Sequence, residues 1–166
     1  MKRILLFSFL SLFALSTFGQ ATFSTTGSGS FWADSASWNR DSGTDADGVP
    51  DSDDTVIISH DISVYTANQA CESITINTDG SADGYAQLTV RGTRTLTVSG
   101  SGTVVTINGL IQLGYLDTKG KLVVSSGNVS VVGKLVISKD GLVSVANSST
   151  VSNSGTIALE SSSSSY

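Results

Sequence analysis

The segment from Thr55 to Leu159 consists of short runs of Val, Ile and Leu that alternate with Ser and Thr and are separated by Gly, Asn or Asp. This pattern is typical of short β-strands joined by tight turns, each strand having one buried and one solvated face. A Gly-x-apolar-x-apolar unit recurs at Gly109, Gly120, Gly133, Gly141 and Gly155. Units of this kind bury their apolar faces only by stacking on one another, so the sequence predicts a repeat architecture.

Two all-β architectures fit this alternation, a β-sandwich and a parallel β-solenoid. The strands span about four to five residues, and hairpin turns of the Asn-Gly type are scarce, with Asn108-Gly109 the clearest instance. Short strands without hairpin turns favour the solenoid. We predict five or six coils of about 18 to 25 residues, each with two or three strands, stacked about 4.8 Å apart.

The first twenty residues have the features of an export signal. Lys2 and Arg3 precede an almost unbroken apolar stretch, Ile4 to Leu15, and small residues near Gly19 suit cleavage. The sequence therefore predicts a signal peptide over residues 1–20 and a secreted or cell-surface protein. The apolar stretch is short for a membrane span and no later stretch approaches one, so we expect no transmembrane segment after signal removal. A retained N-terminal anchor is the alternative.

The charge and cysteine content exclude some classes of function. The chain carries a formal net charge of −5, which argues against a nucleic-acid partner and is favourable to cations. Cys71 is the single cysteine, so no intramolecular disulfide can form. We expect it to be a small buried residue rather than a reactive thiol, because no His or Arg lies near it in the sequence.

Residues 21–54 are rich in Gly, Ser, Asp and aromatic residues without a sustained period, which predicts an irregular, loop-built segment. The residues Phe31-Trp32-Ala-Asp34, Trp38, Gly48-Val49-Pro50 and Asp54-Thr-Val-Ile-Ile resemble the opening of secreted and surface β-helix proteins common in Bacteroidetes, and are loosely similar to the start of G8-type domains. This resemblance covers most of the chain after the signal. It implies a right-handed parallel β-helix over residues 55–159, with residues 21–54 as an N-terminal cap.

Aromatic residues support the interpretation of residues 21–54 as a cap. Phe31, Trp32 and Trp38 are large apolar side chains that can cover the open end of a solenoid core. The alternative is that the tryptophans form an exposed platform for sugar rings.

An acidic run, Asp41 to Asp54, follows these aromatics and contains no basic residue. Closely spaced carboxylates repel one another unless water or a cation neutralises them, and alternate Asp residues followed by Gly suit a hard ion that binds oxygen. The run is similar to thrombospondin type 3 calcium repeats, which implies calcium as a cofactor. The predicted metal ligands are Asp45, Asp47, Asp51, Asp53 and Asp54. A solvated acidic loop is the alternative.

Catalytic residues are scarce, because His60 is the only histidine and leaves no companion for a histidine-based triad or metal site. The leading hypothesis is a non-catalytic extracellular structural or adhesive module. A carbohydrate-binding module is the first alternative, and a fragment of a polysaccharide lyase or glycoside hydrolase is the second. The expected partners are extracellular polysaccharide or cell-surface components.

The C-terminal end of the predicted solenoid lacks a recognisable cap after Leu159. Residues 160–166 form a serine-rich run that we expect to be disordered. An uncovered terminal coil exposes unpaired backbone groups and apolar residues. We therefore expect either further coils of a longer chain or another subunit to cover this end.

Overall fold

The computed structural model describes residues 19–78, 86–114 and 119–160. The predicted signal peptide and serine tail lie almost entirely outside these residues. The described chain forms a short 3₁₀ helix at Ser35–Ser37 and the following strands: β1 Thr22–Thr25, β2 Trp38–Ser42, β3 Thr55–Ile58, β4 Ile62–Val64, β5 Gln69–Cys71, β6 Ser73–Ile76, β7 Gln87–Val90, β8 Thr95–Val98, β9 Thr103–Ile107, β10 Leu110–Leu113, β11 Lys121–Val124, β12 Asn128–Val131, β13 Lys134–Ile137, β14 Leu142–Val145, β15 Val151–Asn153 and β16 Thr156–Leu159.

These strands build three sheets that wind around a common core. Sheet A has the order β15-β12-β9-β6-β3-β1-β2, sheet B the order β16-β13-β10-β7-β4, and sheet C the order β14-β11-β8-β5. Among the described strands, every pairing between coils is parallel, and β1 and β2 are the one antiparallel pair. The prediction of an all-β parallel solenoid is confirmed.

Each coil contributes one strand to each sheet. Four coils are complete, starting at β3, β6, β9 and β12, and a partial fifth contains β15 and β16. Register partners on sheet A lie 18, 31, 24 and 22 residues apart in successive coils. The predicted five or six coils are too many, because the second coil exceeds the predicted length and so leaves fewer residues for further coils.

Alternation within the strands fills the core. Along sheet A the inward column is Val56, Ile74, Val105 and Val129, which are stacked in register and all buried. Burying each of these side chains stabilises the fold by about 1.5 to 3 kcal/mol before conformational entropy is counted. Because each coil covers the apolar face of the one before it, stability accumulates coil by coil.

The corner between sheets A and B explains part of the glycine repeat. Gly109, Gly133 and Gly155 stack there, one per coil. A Cβ built on Gly133 would lie 2.2 Å from the carbonyl oxygen of Gly109, and one on Gly155 would lie 2.2 Å from the carbonyl oxygen of Gly133. The backbones approach too closely at this corner for any side chain.

The N-terminal layer, residues 21–54, lies on the first coil. Strand β1 pairs in parallel with β3, β2 pairs antiparallel with β1, and Phe31 forms a parallel bridge to Ser63 at the edge of sheet B. The prediction of an irregular, loop-built segment is wrong in part, since the segment holds two strands and a 3₁₀ helix between its loops. Among the described residues, no helix is long and apolar enough to cross a membrane.

Candidate functional site

The aromatic cluster of the N-terminal layer is buried rather than exposed. Trp32 and Trp38 are 1% and 6% exposed, and their rings meet edge-on with centroids 5.0 Å apart. Phe23 of β1 contacts Trp38 in the same manner at 6.5 Å. The indole Nε1 of Trp38 donates to the carbonyl of Trp32 at 2.7 Å, and that of Trp32 donates to the carbonyl of Pro50 at 3.2 Å. The tryptophans therefore do not form a sugar platform.

Phe31 departs from the prediction, because 40% of its side chain is exposed. Phe31 is the residue that bridges to Ser63, and Trp32 begins a turn in which the N–H of Asp34 donates to the carbonyl of Phe31 at 3.2 Å. In this turn Trp32 enters the core, and Phe31 stays at the edge of sheet B.

The acidic loop brings three of the five predicted ligands together. Each of Asp45, Asp51 and Asp54 places a carboxylate oxygen within 4.8 Å of the other two. Asp47 and Asp53 lie outside this group. Asp47 accepts a hydrogen bond from the backbone of Val49, and Asp53 lines a cleft of about 430 Å³ with Gln20, Ser52, Glu72 and Ser99.

Short-range hydrogen bonds shape this loop. Oδ1 of Asp45 accepts from the backbone N–H groups of Asp47 at 3.1 Å and Gly48 at 2.6 Å, and Oδ1 of Asp51 accepts from Asp53 at 3.2 Å. Gly48 has a φ of 76°, a left-handed conformation that glycine adopts at little cost. The Asp-x-Asp-Gly sequence thus folds as a series of turns in which the carboxylates bond their own backbone.

Asp54 ties the loop to the solenoid. Its side chain is buried, Oδ1 accepts from the backbone of Ala21 at 2.8 Å and Oδ2 from the backbone of Asp51 at 2.9 Å. Its carbonyl accepts from Glu72 at 2.8 Å, at the start of the second coil. Asp54 therefore has a structural role whether or not a cation is bound, a role that the sequence pattern did not reveal.

The electrostatic environment of these three carboxyl groups disfavours their charged forms when no cation is bound. Burial raises the pKa of Asp54, and the charges of Asp51 and Asp45 raise it further, against the opposing effect of its two backbone donors. The pKa of Asp51 is also raised, first by a side-chain hydrogen bond with Asp53, then by burial and by the charges of Asp53 and Asp47. A proton or a cation bound among these groups would relieve the repulsion.

The three carboxylates lie close enough together to share one oxygen-binding cation. Calcium binds oxygen at about 2.3 to 2.6 Å, so two of its ligands lie at most about 5 Å apart. The spacing of 4.8 Å or less between the oxygens of Asp45, Asp51 and Asp54 is within that limit. Three carboxylates supply part of the six to eight oxygens that calcium takes, and water or carbonyl groups commonly supply the rest.

His60 and Cys71 have structural environments. Nδ1 of His60 lies 3.0 Å from the carbonyl oxygen of Thr25, and the Thr25 hydroxyl accepts from the backbone of Ser59 and His60. Cys71 is fully buried, and burial raises the pKa of its thiol. His60 joins the N-terminal layer to the first coil, and Cys71 fills the core.

A second surface feature lies where sheet B begins. Tyr65 follows β4 and is 47% exposed. The guanidinium of Arg91 lies 4.8 Å from the centre of its ring, and Nε of Arg94 donates to its carbonyl at 2.9 Å. Phe31 lies beside Ser63 on the same sheet edge. The guanidinium of Arg91 therefore makes a cation–π contact with one face of the Tyr65 ring, while the rest of this side chain and that of Phe31 remain partly exposed.

Comparison of the chain with protein-family models, with curated proteins and with solved structures found no match.

Proposed function

We propose that this chain is an exported, non-catalytic structural or adhesive module of a secreted or cell-surface protein. The observation that carries the proposal is a column of hydroxyls on the outer face of sheet A, where Thr75, Thr106, Ser130 and Ser152 are in register. Stacking fixes them about 4.8 Å apart on a rigid core. A preformed polar face loses little conformational entropy on binding, which suits adhesion to polysaccharide or other cell-surface components.

The environments of the polar residues support a non-catalytic role. The ring of His60 bonds to Thr25, and Oδ1 of Asp61 accepts from the backbone of Gln87 at 3.0 Å. His60 is the single histidine of the chain, and its contact with Thr25 is accounted for by its place between the N-terminal layer and the first coil. A polysaccharide lyase or glycoside hydrolase fragment is the alternative, and release of reducing sugar or unsaturated product from a polysaccharide panel would establish it.

We propose in addition that the acidic loop holds a calcium site, formed by Asp45, Asp51 and Asp54 with Asp47 and Asp53 nearby. The support is the convergence of three carboxylates and the raised pKa values of Asp51 and Asp54. A bound ion would neutralise the repulsion and fasten the loop to the first coil. Affinity in the range of about 0.1 to 1 mM, typical of extracellular modules, is expected.

Calcium binding is tested by thermal unfolding and calorimetric titration. Calcium should raise the melting temperature of the purified protein, and Asp45→Asn with Asp51→Asn should abolish the rise. Asp140→Asn is the matched control for Asp51→Asn alone, because it removes the same single charge from an exposed position in a distant coil. If sodium at the same ionic strength raised the melting temperature equally, or if titration with calcium gave no saturable heat, the segment would be a solvated loop without a calcium site.

Adhesion is tested by retention of the purified protein on insoluble polysaccharides and on bacterial cells. Thr75→Val with Thr106→Val removes two hydroxyls of the column while keeping side-chain shape, and should weaken retention. Thr97→Val is the control, because its register places it on the outer face of sheet C. Equal retention by all three proteins would refute the role of sheet A.

A carbohydrate-binding module is a second candidate, favoured by the exposure of Phe31 and Tyr65 near Arg91. Sugar rings stack on exposed aromatic faces, and each such contact contributes to affinity through buried apolar area. In the same retention assay, Phe31→Ala and Tyr65→Ala should abolish binding if this candidate is correct. Loss with these variants and not with the sheet A variant would replace the adhesive proposal by this one.

A further inference from the structure

Basic residues are concentrated at one corner of the solenoid. Seven basic residues follow the predicted signal peptide, and four of them lie where the second and third coils pass from sheet B to sheet C. This basic corner consists of Arg91, Arg94, Lys119 and Lys121. The acidic residues that the structure describes along the same corner, Asp140 and Glu160, belong to the fourth and fifth coils.

The second coil holds its two arginines in one tight turn between β7 and β8. The N–H of Arg94 donates to the carbonyl of Arg91 at 3.3 Å, and the two residues between them have φ values of 68° and 64°. Positive φ at both central positions is characteristic of a type I′ turn, in which the first and fourth Cα atoms lie less than about 7 Å apart. Both arginine side chains also contact Tyr65, so they lie on the same side of the turn.

The described contacts of these arginines do not neutralise their charge. The guanidinium of Arg91 lies 4.8 Å from the centre of the Tyr65 ring, and Nε of Arg94 donates to the carbonyl of Tyr65 at 2.9 Å. Nε of Arg91 is buried and has no hydrogen-bond partner among the described residues. A buried donor without an acceptor is unusual in a native protein, so internal hydrogen bonding does not explain an arginine at this position. Within the described chain, both positive charges are left to an external anion.

The third coil continues the positive charge along the solenoid axis. The N–H of Lys121 donates to the carbonyl of Arg94 at 2.9 Å, so the first residue of β11 stacks directly on the turn of the second coil. Successive coils lie about 4.8 Å apart. This distance is comparable to the length that one sugar unit adds to an extended polysaccharide. Basic residues on neighbouring coils are therefore spaced to contact successive anionic groups of one polymer.

The charge distribution favours an acidic polysaccharide over a nucleic acid. Domains that bind nucleic acids are basic overall, whereas this chain carries a formal charge of −5, and duplex DNA presents one charge about every 1.7 Å. A polysaccharide with one carboxylate or sulfate group per sugar has a lower charge density and requires only a local basic surface. Eight of the fourteen acidic residues lie between residues 34 and 61, in the N-terminal layer and the first coil, so their repulsion is weaker at the later coils.

We propose that the basic corner binds an acidic polysaccharide, with Arg91 and Arg94 holding one carboxylate or sulfate group and Lys121 a neighbouring one. The planar fork of a guanidinium matches the oxygens of such a group, and Tyr65 orients both arginines. The inference rests on the adhesion to polysaccharide proposed above and specifies its chemical class. It places the contact on a different surface from the hydroxyl column of sheet A.

Binding of the purified protein to soluble polysaccharides, measured by biolayer interferometry, tests the inference. Polygalacturonate supplies carboxylates, dextran sulfate supplies sulfate groups, and dextran is neutral. At least one acidic polymer should bind about tenfold or more tightly than dextran, and the polymer that binds identifies the anionic group. Sodium chloride should weaken this binding, because exposed charges are screened. A chelator in every sample prevents calcium from linking the acidic loop to the polymer.

Single substitutions locate the site. Arg91→Gln and Arg94→Gln should each raise the dissociation constant for the acidic polymer about tenfold, because each removes a charged hydrogen-bond donor. Lys121→Gln should raise it as well, and Lys134→Gln, its matched control, should not. Each lysine is the first residue of its strand, but Lys134 begins β13 at the end of sheet B that is remote from the basic corner. Circular dichroism spectra that match the wild type confirm that each variant is folded.

Three results would overturn the inference. They are equal affinity for dextran and both acidic polymers, equal effects of Lys121→Gln and Lys134→Gln, and tighter binding of duplex DNA than of either acidic polysaccharide. Binding that appears only in Asp117→Asn would also overturn it, because a carboxylate of the chain would then occupy the arginines; Asp117 lies outside the described residues. Retention on neutral polysaccharide that is lost in the sheet A variant would leave the proposed adhesion standing while this inference failed.

Discussion

Replacing Trp38 by alanine tests whether the N-terminal layer stabilises the solenoid. Trp38 is 6% exposed, and its ring contacts Trp32 and Phe23 edge-on. Its indole also donates to the carbonyl of Trp32 at 2.7 Å. The substitution removes packing, two aromatic contacts and a buried hydrogen bond at once.

The expected cost follows from these contacts. Truncating a buried tryptophan costs about 3 to 5 kcal/mol through lost burial and the cavity left behind. The orphaned carbonyl of Trp32 adds about 1 kcal/mol or more. We expect a total loss of about 4 to 6 kcal/mol in the free energy of unfolding. Trp38→Phe keeps a ring but loses the hydrogen bond and part of the area, so it should cost about 1 to 3 kcal/mol.

The control is Phe31→Ala, seven residues earlier in the same layer. Because 40% of Phe31 is exposed, its truncation should cost less than about 2 kcal/mol. This variant removes an aromatic residue of the same segment without opening the core, and so separates burial from aromatic content.

Urea unfolding followed by far-ultraviolet circular dichroism and by tryptophan fluorescence measures these differences. Coils of a solenoid are coupled to their neighbours, so the N-terminal layer can unfold before the rest. In Trp38→Ala the fluorescence of Trp32 should change at lower urea than the β signal, whereas in the wild type the two should coincide. A loss below about 1 kcal/mol, or an equal loss in Phe31→Ala, would refute the reasoning.

Three further predictions concern other parts of the molecule. Because the folded-state pKa values of Asp51 and Asp54 are raised, the free energy of unfolding should increase as the pH falls through those values and level off below the ordinary value of 3.8. Urea unfolding at a series of pH values should show a weaker dependence in Asp51→Asn than in the wild type. Gly133→Ala should cost about 3 kcal/mol or more, whereas Gly102→Ala, whose Cβ meets nothing within 4 Å, should cost about 1 kcal/mol for its positive φ. Cys71 should react with a thiol reagent only after unfolding, and rapid reaction in the native state would contradict its burial.

Most strands from Thr55 onward can be predicted from the sequence, because the alternation of apolar and polar residues shows directly which side chains are buried. Strands β1, β2 and β5 cannot be predicted in this way. Gln69-Ala70-Cys71 contains little alternation, and β2 is mostly polar because it is an edge strand with only Trp38 buried. These strands are specified by their pairing with neighbouring strands, which a local pattern does not contain.

The acidic loop shows a second limit of sequence reasoning. The composition predicts crowded carboxylates, but the turns decide which of them converge, and they select Asp45, Asp51 and Asp54. The burial of Asp54 follows from its bond to Ala21, 33 residues away in the sequence. Phe31 lies at the edge of sheet B through its bridge to the distant Ser63, while Trp32 is buried in the turn that follows. None of these long-range contacts leaves a local signal.

The unequal coil lengths have a mechanical consequence. If the chain is pulled from its C-terminal end, each coil detaches from the next by breaking one strand's hydrogen bonds on each sheet, so the coils should open one at a time. Their lengths of 22, 24, 31 and 18 residues would release roughly 8, 9, 11 and 6.5 nm of extended chain in turn. In a single-molecule force experiment the order of these steps would identify which coil had opened, and a tethered molecule would lengthen under load before it failed completely.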